Sequence, residues 1–253
     1  MTASESSAVL LLSHGSRDPR AEYVVDELVA AVAASAHVTV RAAHLDFTAP
    51  TPAVALRQLA AEGFTSVRLV PLLFTPGYHV THDIPLAVQD SAVADRISVS
   101  VAPPLLGGGR PERDLLLTAL ADRLVQAGAD QSVDALLLTS AGSSSLSARR
   151  RVVGLAKDLE LAHGIPVVPA FASSGFCPSP IQALEALADR GVTNPAVASL
   201  FVAPGKLTDA VAAMCQALPV ADPLGVSPAF VKLLVSQVQT LSKLTEPAST
   251  PRI

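Results

Sequence analysis

Hydrophobic and polar positions alternate along the chain in two rhythms. Short, almost unbroken apolar runs, AVLLLS at 8–13, VTVRAAHLDF at 38–47, SVRLVPLLF at 66–74 and ISVSVAPPLL at 97–106, have the length and β-branched content of strands covered on both faces. Between them, apolar residues recur at helical spacing over about 20–35 and 51–62, and the second stretch stops at Gly63, a residue that readily takes the left-handed backbone of a helix end. Strand, helix, strand, helix in this order predicts parallel βαβ units with right-handed crossovers.

The second half repeats the first. ALLLTSAGSSS at 135–145 matches AVLLLSHGSRD at 8–18 at an offset of 127, and PSPIQALEALADRGVT at 178–193 matches PTPAVALRQLAAEGFT at 50–65 at an offset of 128. From Pro50 to Gly77 the second offset gives 11 identities in 28 positions. Chance in so Ala- and Leu-rich a chain gives roughly 2 to 4, so a duplicated unit is the better account. The glycine and proline cluster APPLLGGGRPERD at 102–114 marks the junction, and the helix expected at about 112–128 fits either copy. The expected organisation is a unit at 1–125, a second at 126–245 and a flexible tail at 246–253.

Comparing the copies separates frame from chemistry. Gly15 is answered by Gly142, Pro76 by Pro204 and Gly77 by Gly205, whereas His14 is answered by Ala141, Arg17 by Ser144, Asp46 by Ser174, His79 by Leu207 and Asp83 by Val211. A structural role for the two histidines predicts similar residues in both copies; their one-sided presence points to chemistry confined to the first. His14 follows the first strand, Asp46 ends the second and His79 comes soon after the third, so all three are expected at the carboxyl edge of one parallel sheet, where such sheets bind ligands. Neutral imidazole suits Fe(II), Co(II), Ni(II) and Zn(II), and it also accepts a proton near neutral pH. His82 is a candidate third ligand. His44 shares a strand face with Asp46 or is a buried core histidine. His37 and His163 read as surface residues at helix ends, Asp83 caps a helix or serves catalysis, and Arg149, Arg150 and Arg151 are a solvated helix start or, beside a cleft, a carboxylate attractor.

Composition narrows the classes. Half of the 253 residues are hydrophobic but only 4% are aromatic, so Ala, Leu and Val fill the core, and a net charge of -4 argues against a nucleic-acid or anionic-membrane surface. No apolar run approaches a membrane span, the first residues lack a basic region with a cleavage site, and the two cysteines are too isolated for a zinc knuckle or disulfide framework. A cytoplasmic protein is expected.

Three motifs, SHGSRDP at 13–19, HLDFTAPTP at 44–52 and GFTSVRLVPLLFTPGYHVTHDIP at 63–85, together resemble the sirohydrochlorin chelatases of the CbiX/SirB type, class II chelatases related in fold to ferrochelatase. The resemblance covers nearly the whole chain, because long members of that family are two tandem copies of one unit. It implies an α/β fold of two chelatase-like units, each a parallel sheet flanked by helices, related by a pseudo-twofold axis. It also implies insertion of Fe2+ or Co2+, as substrate, into sirohydrochlorin in the cleft between them. On this resemblance His14 and His79 bind the metal and take pyrrole protons, and Asp46 is a further metal ligand where the family usually has glutamate. Ser13, Gly15, Ser16, Arg17, Gly77 and Tyr78 contact the macrocycle, with Arg17, Arg20, the backbone N–H groups at the helix start near residue 20 and the second copy's Ser-Gly turns as candidate donors to its carboxylates. No organic cofactor, nucleic acid or membrane is expected, and the protein is expected as a monomer, an internal pseudo-dimer. Two rivals are a non-catalytic metal or tetrapyrrole carrier and a histidine phosphatase. The latter needs an arginine immediately before the histidine, where this chain has Ser13.

Overall fold

The computed structural model describes residues 6–77, 82–93 and 95–245, and the side chains of 241–245 are outside the description. His79, Tyr78 and the tail at 246–253 therefore lie outside the described residues. The first copy comprises β1 (Ser7–Ser13), α1 (Pro19–Ala36), β2 (Thr39–His44), α2 (Pro52–Ala61), β3 (Ser66–Pro71), α3 (Ile84–Asp90), β4 (Ser98–Val101) and α4 (Arg110–Gln126). The second comprises β5 (Ala135–Ser140), α5 (Leu146–His163), β6 (Val167–Phe171), α6 (Pro180–Ala188), β7 (Pro195–Ser199), α7 (Lys206–Met214) and α8 (Pro228–Thr245).

All strand pairs are parallel, in the orders β2-β1-β3-β4 and β6-β5-β7. The fourth strand of the second sheet shrinks to a single bridge between Val197 and Val220. Helix ends follow local chemistry. Asp18 caps α1 by accepting from the Arg20 N–H, Ser145 caps α5 by accepting from the Ala148 N–H, and Ser179 and Gln182 close a reciprocal capping box on α6. Asp83 departs from expectation: it precedes α3 with helical backbone angles and makes no side-chain cap.

The unbroken apolar runs are divided by the pleat. Val9 and Leu11 of β1, with Leu136 and Leu138 of β5, face one large core that also takes Leu28 of α1, Leu120 of α4 and Phe230 of α8. The alternate residues, Leu10 and Leu12 on β1 and Leu137 on β5, face two smaller cores, under α2 and α3 in the first copy and α6 and α7 in the second. The large core belongs to both copies because two helices cross over. α4 leaves the first copy to pack on β7 and on α8, while α8 leaves the second copy to pack on α1 and β3. Hydrogen bonds tie the exchange: Arg123 Nη2 donates to the Leu224 carbonyl at 2.8 Å and Gln237 Nε2 to the Pro103 carbonyl at 3.1 Å. The helix that by sequence fits either copy is thus the joint between them. Among the described residues, no helix is long and apolar enough to cross a membrane.

Candidate active site

The carboxyl ends of β1 and β5 face each other across a cleft of about 750 Å³ lined by both copies. Its walls pair off at the repeat offset: Ser13 with Ser140, His14 with Ala141, Gly15 with Gly142, Ala21 with Ala148 and Val25 with Val152. Leu72, Phe74, Leu200 and Val202 at the ends of the third strands supply apolar surface. A concave, largely apolar site with a few polar groups at its rim suits a large flat ligand.

The His14 turn is built by β2. Beyond the last strand pair, the Leu45 N–H donates to the Ser13 carbonyl at 3.1 Å and the Asp46 N–H to the His14 carbonyl at 2.9 Å. Thr48 clasps the turn, its Oγ1 donating to the Ser16 carbonyl at 3.0 Å. Gly15 has φ 88°, and a Cβ there would run into the Asp46 carbonyl oxygen, so the turn admits only glycine. This clasp holds the His14 imidazole exposed at the mouth, with Nδ1 3.3 Å from the Gly15 carbonyl and its ring 6.1 Å from that of Phe47.

Behind the turn, His44 is 3% exposed yet still reaches the cleft wall, with Nδ1 2.7 Å from Ser13 Oγ. Ser13 Oγ in turn accepts from the Gly15 N–H at 3.1 Å. Burial pushes the His44 imidazole below its ordinary pKa, with the Glu22 and Asp26 carboxylates pulling partly the other way. The second copy has Phe171 and Ser140 at these places, and Ser140 Oγ is buried without a hydrogen-bond partner among the described residues. Neither reading of His44 from sequence was complete, since it is both buried and cleft-facing.

Of the expected site residues, Ser13, His14, Gly15, Ser16 and Gly77 line the cleft. Asp46 does not. The strand stops at His44, and Asp46 sits in the following turn, exposed, with Oδ1 accepting from the Phe47 N–H at 2.9 Å. Its counterpart is Ser173 rather than Ser174, because the Ser173 N–H bonds the Ala141 carbonyl as that of Asp46 bonds His14. Arg17 lies outside the cleft lining, its guanidinium 4.8 Å over the Phe47 ring. Arg20 is held by Asp18 and, across the mouth, by Asp209, both at 2.6 Å. His82 is exposed before α3 and is not among the lining residues. His37 and His163 are surface residues at the ends of α1 and α5, as expected. Arg149, read from sequence as a solvated helix start or, beside a cleft, a carboxylate attractor, lines the cleft, and the repeat offset pairs it with Glu22. Among the described residues, no three His, Cys, Asp or Glu side chains group closely enough to hold a metal.

Two parallel sheets flanked by helices, with a cleft lined by residues of both at the ends of β1 and β5, define a two-unit α/β protein whose ionisable groups are unequally shared. Its sequence matches the CbiX family model at residues 8–127 and again at 135–241, so the chain belongs to the CbiX family. A sirohydrochlorin cobaltochelatase from Methanococcoides burtonii is 35% identical over 83 residues, 32% of this chain and 63% of that protein. A sirohydrochlorin ferrochelatase from Bacillus subtilis is 28% identical over 169 residues, 65% of this chain and 62% of that protein. The chain therefore spans less than two thirds of the length of these curated relatives. The solved structure described as SirB from Bacillus subtilis with Fe3+ superposes with a TM-score of 0.80 over 95% of this chain and 98% of that one; at 21% identity, this establishes likeness of fold.

Proposed function

We propose that the protein is a sirohydrochlorin chelatase, inserting Fe2+ or Co2+ into the macrocycle as a monomer whose two halves form the two walls of the site. The observation that carries this reading is the position of His14, on the turn after the central strand β1, at a cleft of about 750 Å³ whose opposite wall has Ala141 in its place. Family membership and the activities for which the relatives are named support it. Metallation takes in one divalent ion and releases two pyrrole N–H protons, so the site has to strip water from the ion and remove those protons. An imidazole held at the mouth by backbone bonds can ligate the incoming metal and, once the metal has passed to the macrocycle, accept a proton. His79, which follows β3 in the sequence, is proposed as its partner. The apolar ends of the third strands receive the faces of the ring. Asp46 is given no part in this scheme, because it lies in an exposed turn outside the cleft lining.

Anaerobic assay of sirohydrochlorin metallation by absorbance tests this. His14→Ala and His79→Ala are each expected to lower turnover by ~10-fold or more, with circular dichroism unchanged. Near-normal turnover in both variants overturns the assignment, and stoichiometric binding without release of metallated product makes the protein a carrier.

A further inference from the structure

α1 and α5 each have 18 residues, start one repeat apart and present the same face to the cleft. Along that face Ala21 pairs with Ala148 and Val25 with Val152, so the two walls match in shape. Between those pairs, in the first turn of each helix, the first copy has Glu22 and the second has Arg149, and both line the cleft. Among the described residues, the other basic side chain in the lining, histidines aside, is Lys206, again from the second copy, and Glu22 is the acidic one. One wall is therefore cationic and its pseudo-symmetric counterpart anionic.

Arg149 is held in place. Nη1 donates to the Ser143 carbonyl at 2.6 Å, and the guanidinium lies 5.9 Å over the Phe176 ring, itself part of the cleft wall. Among the described residues Nε and Nη2 have no protein acceptor, which leaves one edge of the planar fork for a ligand oxygen. Arg17 and Arg20 are engaged elsewhere, by Phe47 and by Asp18 and Asp209.

We infer that Arg149 binds a carboxylate of the macrocycle and that Glu22, its charge-reversed counterpart, keeps carboxylates off the opposite wall, so that the two fix which way round the ligand sits. The inference rests on the chelatase reading and deepens it. A polycarboxylate ring entering a cleft with matching walls has two placements related by the pseudo-twofold axis. In one, a rim carboxylate meets a guanidinium whose flat fork fits it; in the other, it meets a carboxylate. The difference selects a single orientation, in which the charged rim rests on the second copy and the ring is presented to the histidine of the first. This gives the second copy, which lacks the histidines, a chemical role of its own.

The test is steady-state metallation at saturating metal with varied sirohydrochlorin, on the full-length protein. Arg149→Ala is expected to raise KM for the macrocycle by roughly 10-fold or more, the scale of one lost charge-assisted hydrogen bond, with kcat changed by less than about threefold. Arg149→Lys should recover part of the loss, and Glu22→Gln should lower KM. Raising salt should weaken binding by the wild type more than by Arg149→Ala, since an ionic contact is screened and its absence is not. A wild-type KM and salt response in Arg149→Ala, or a KM raised by Glu22→Gln, overturns the inference while leaving the chelatase reading standing. Should the wild type metallate nothing, that reading fails instead. The inference is then judged by absorbance titration of metal-free uroporphyrin, which must bind the wild type more tightly than Arg149→Ala.

Discussion

Gly15 and Gly63 have almost the same backbone, φ 88° and 89°, but different surroundings: a Cβ on Gly63 meets nothing within 4 Å, whereas one on Gly15 runs into the Asp46 carbonyl. Gly63→Ala should therefore cost only the conformational term, about 1 kcal/mol. Gly15→Ala should cost more in urea denaturation and also displace the His14 turn, abolishing turnover. Equal losses in the two variants would show that the turn has room to yield. His44 offers a second residue-level test. Its folded pKa is depressed by burial, so below its ordinary value of ~6.5 the unfolded chain binds the proton more readily. Its contribution is complete above that value and is lost as pH falls toward the folded one. Stability measured between pH 7.5 and 5 should decline in the wild type, and His44→Phe, which copies Phe171 of the sister unit, should flatten that decline. An unchanged slope would mean that His44 does not charge with solvent-like ease in the unfolded chain or that other groups dominate.

Helices α4 and α8 are exchanged between the copies, and each covers a sheet of the unit that did not supply it. Phe230 of α8 is fully buried in the shared core with Val9 and Leu11 of β1 and Leu120 of α4. Phe230→Ala removes a large side chain from a close-packed site and should cost about 3–5 kcal/mol. Because that core has contributions from both sheets, the loss should shift one cooperative transition rather than detach the second unit. Two separated transitions in calorimetry would mean that the exchange contributes little. Elsewhere the repeat has drifted where packing allowed it, as in the reduction of the fourth strand of the second sheet to the Val197–Val220 bridge.

For the whole molecule, the exchange decides what can be cut. Residues 1–125 keep β1–β4 but lose α8, which packs on α1 and β3, and they retain an α4 whose partners β7 and α8 are gone. That fragment exposes the large-core face of its sheet, including Val9, Leu11 and Val70, so it should be unfolded or associated in circular dichroism and light scattering. A folded, monomeric fragment would show that the first unit has a sufficient core of its own. The cleft follows the same logic, since half of its wall, including Arg149, arrives from beyond residue 125.

Much of this was legible in the chain. Periodicity yields the strands and helices, because burial on both faces of a parallel strand leaves an unbroken apolar run and burial on one face of a helix leaves a spaced one. The repeat offset reveals the duplication, and the absence of a counterpart to His14 in the sister copy is what singles that residue out for the proposed chemistry, because packing preserves frame residues in both units. Other properties depend on side-chain direction and on distance between residues far apart in sequence, which no local pattern carries. The exchange of α4 and α8 is one, since both helices read as amphipathic whichever sheet they cover. So are the position of Asp46 outside the cleft lining, the capture of Arg20 by Asp209 some 189 positions away, and the entry of Arg149 into the cleft wall. Local sequence determined which groups exist and on which element; only the packing of one copy against the other decided which of them line the cleft.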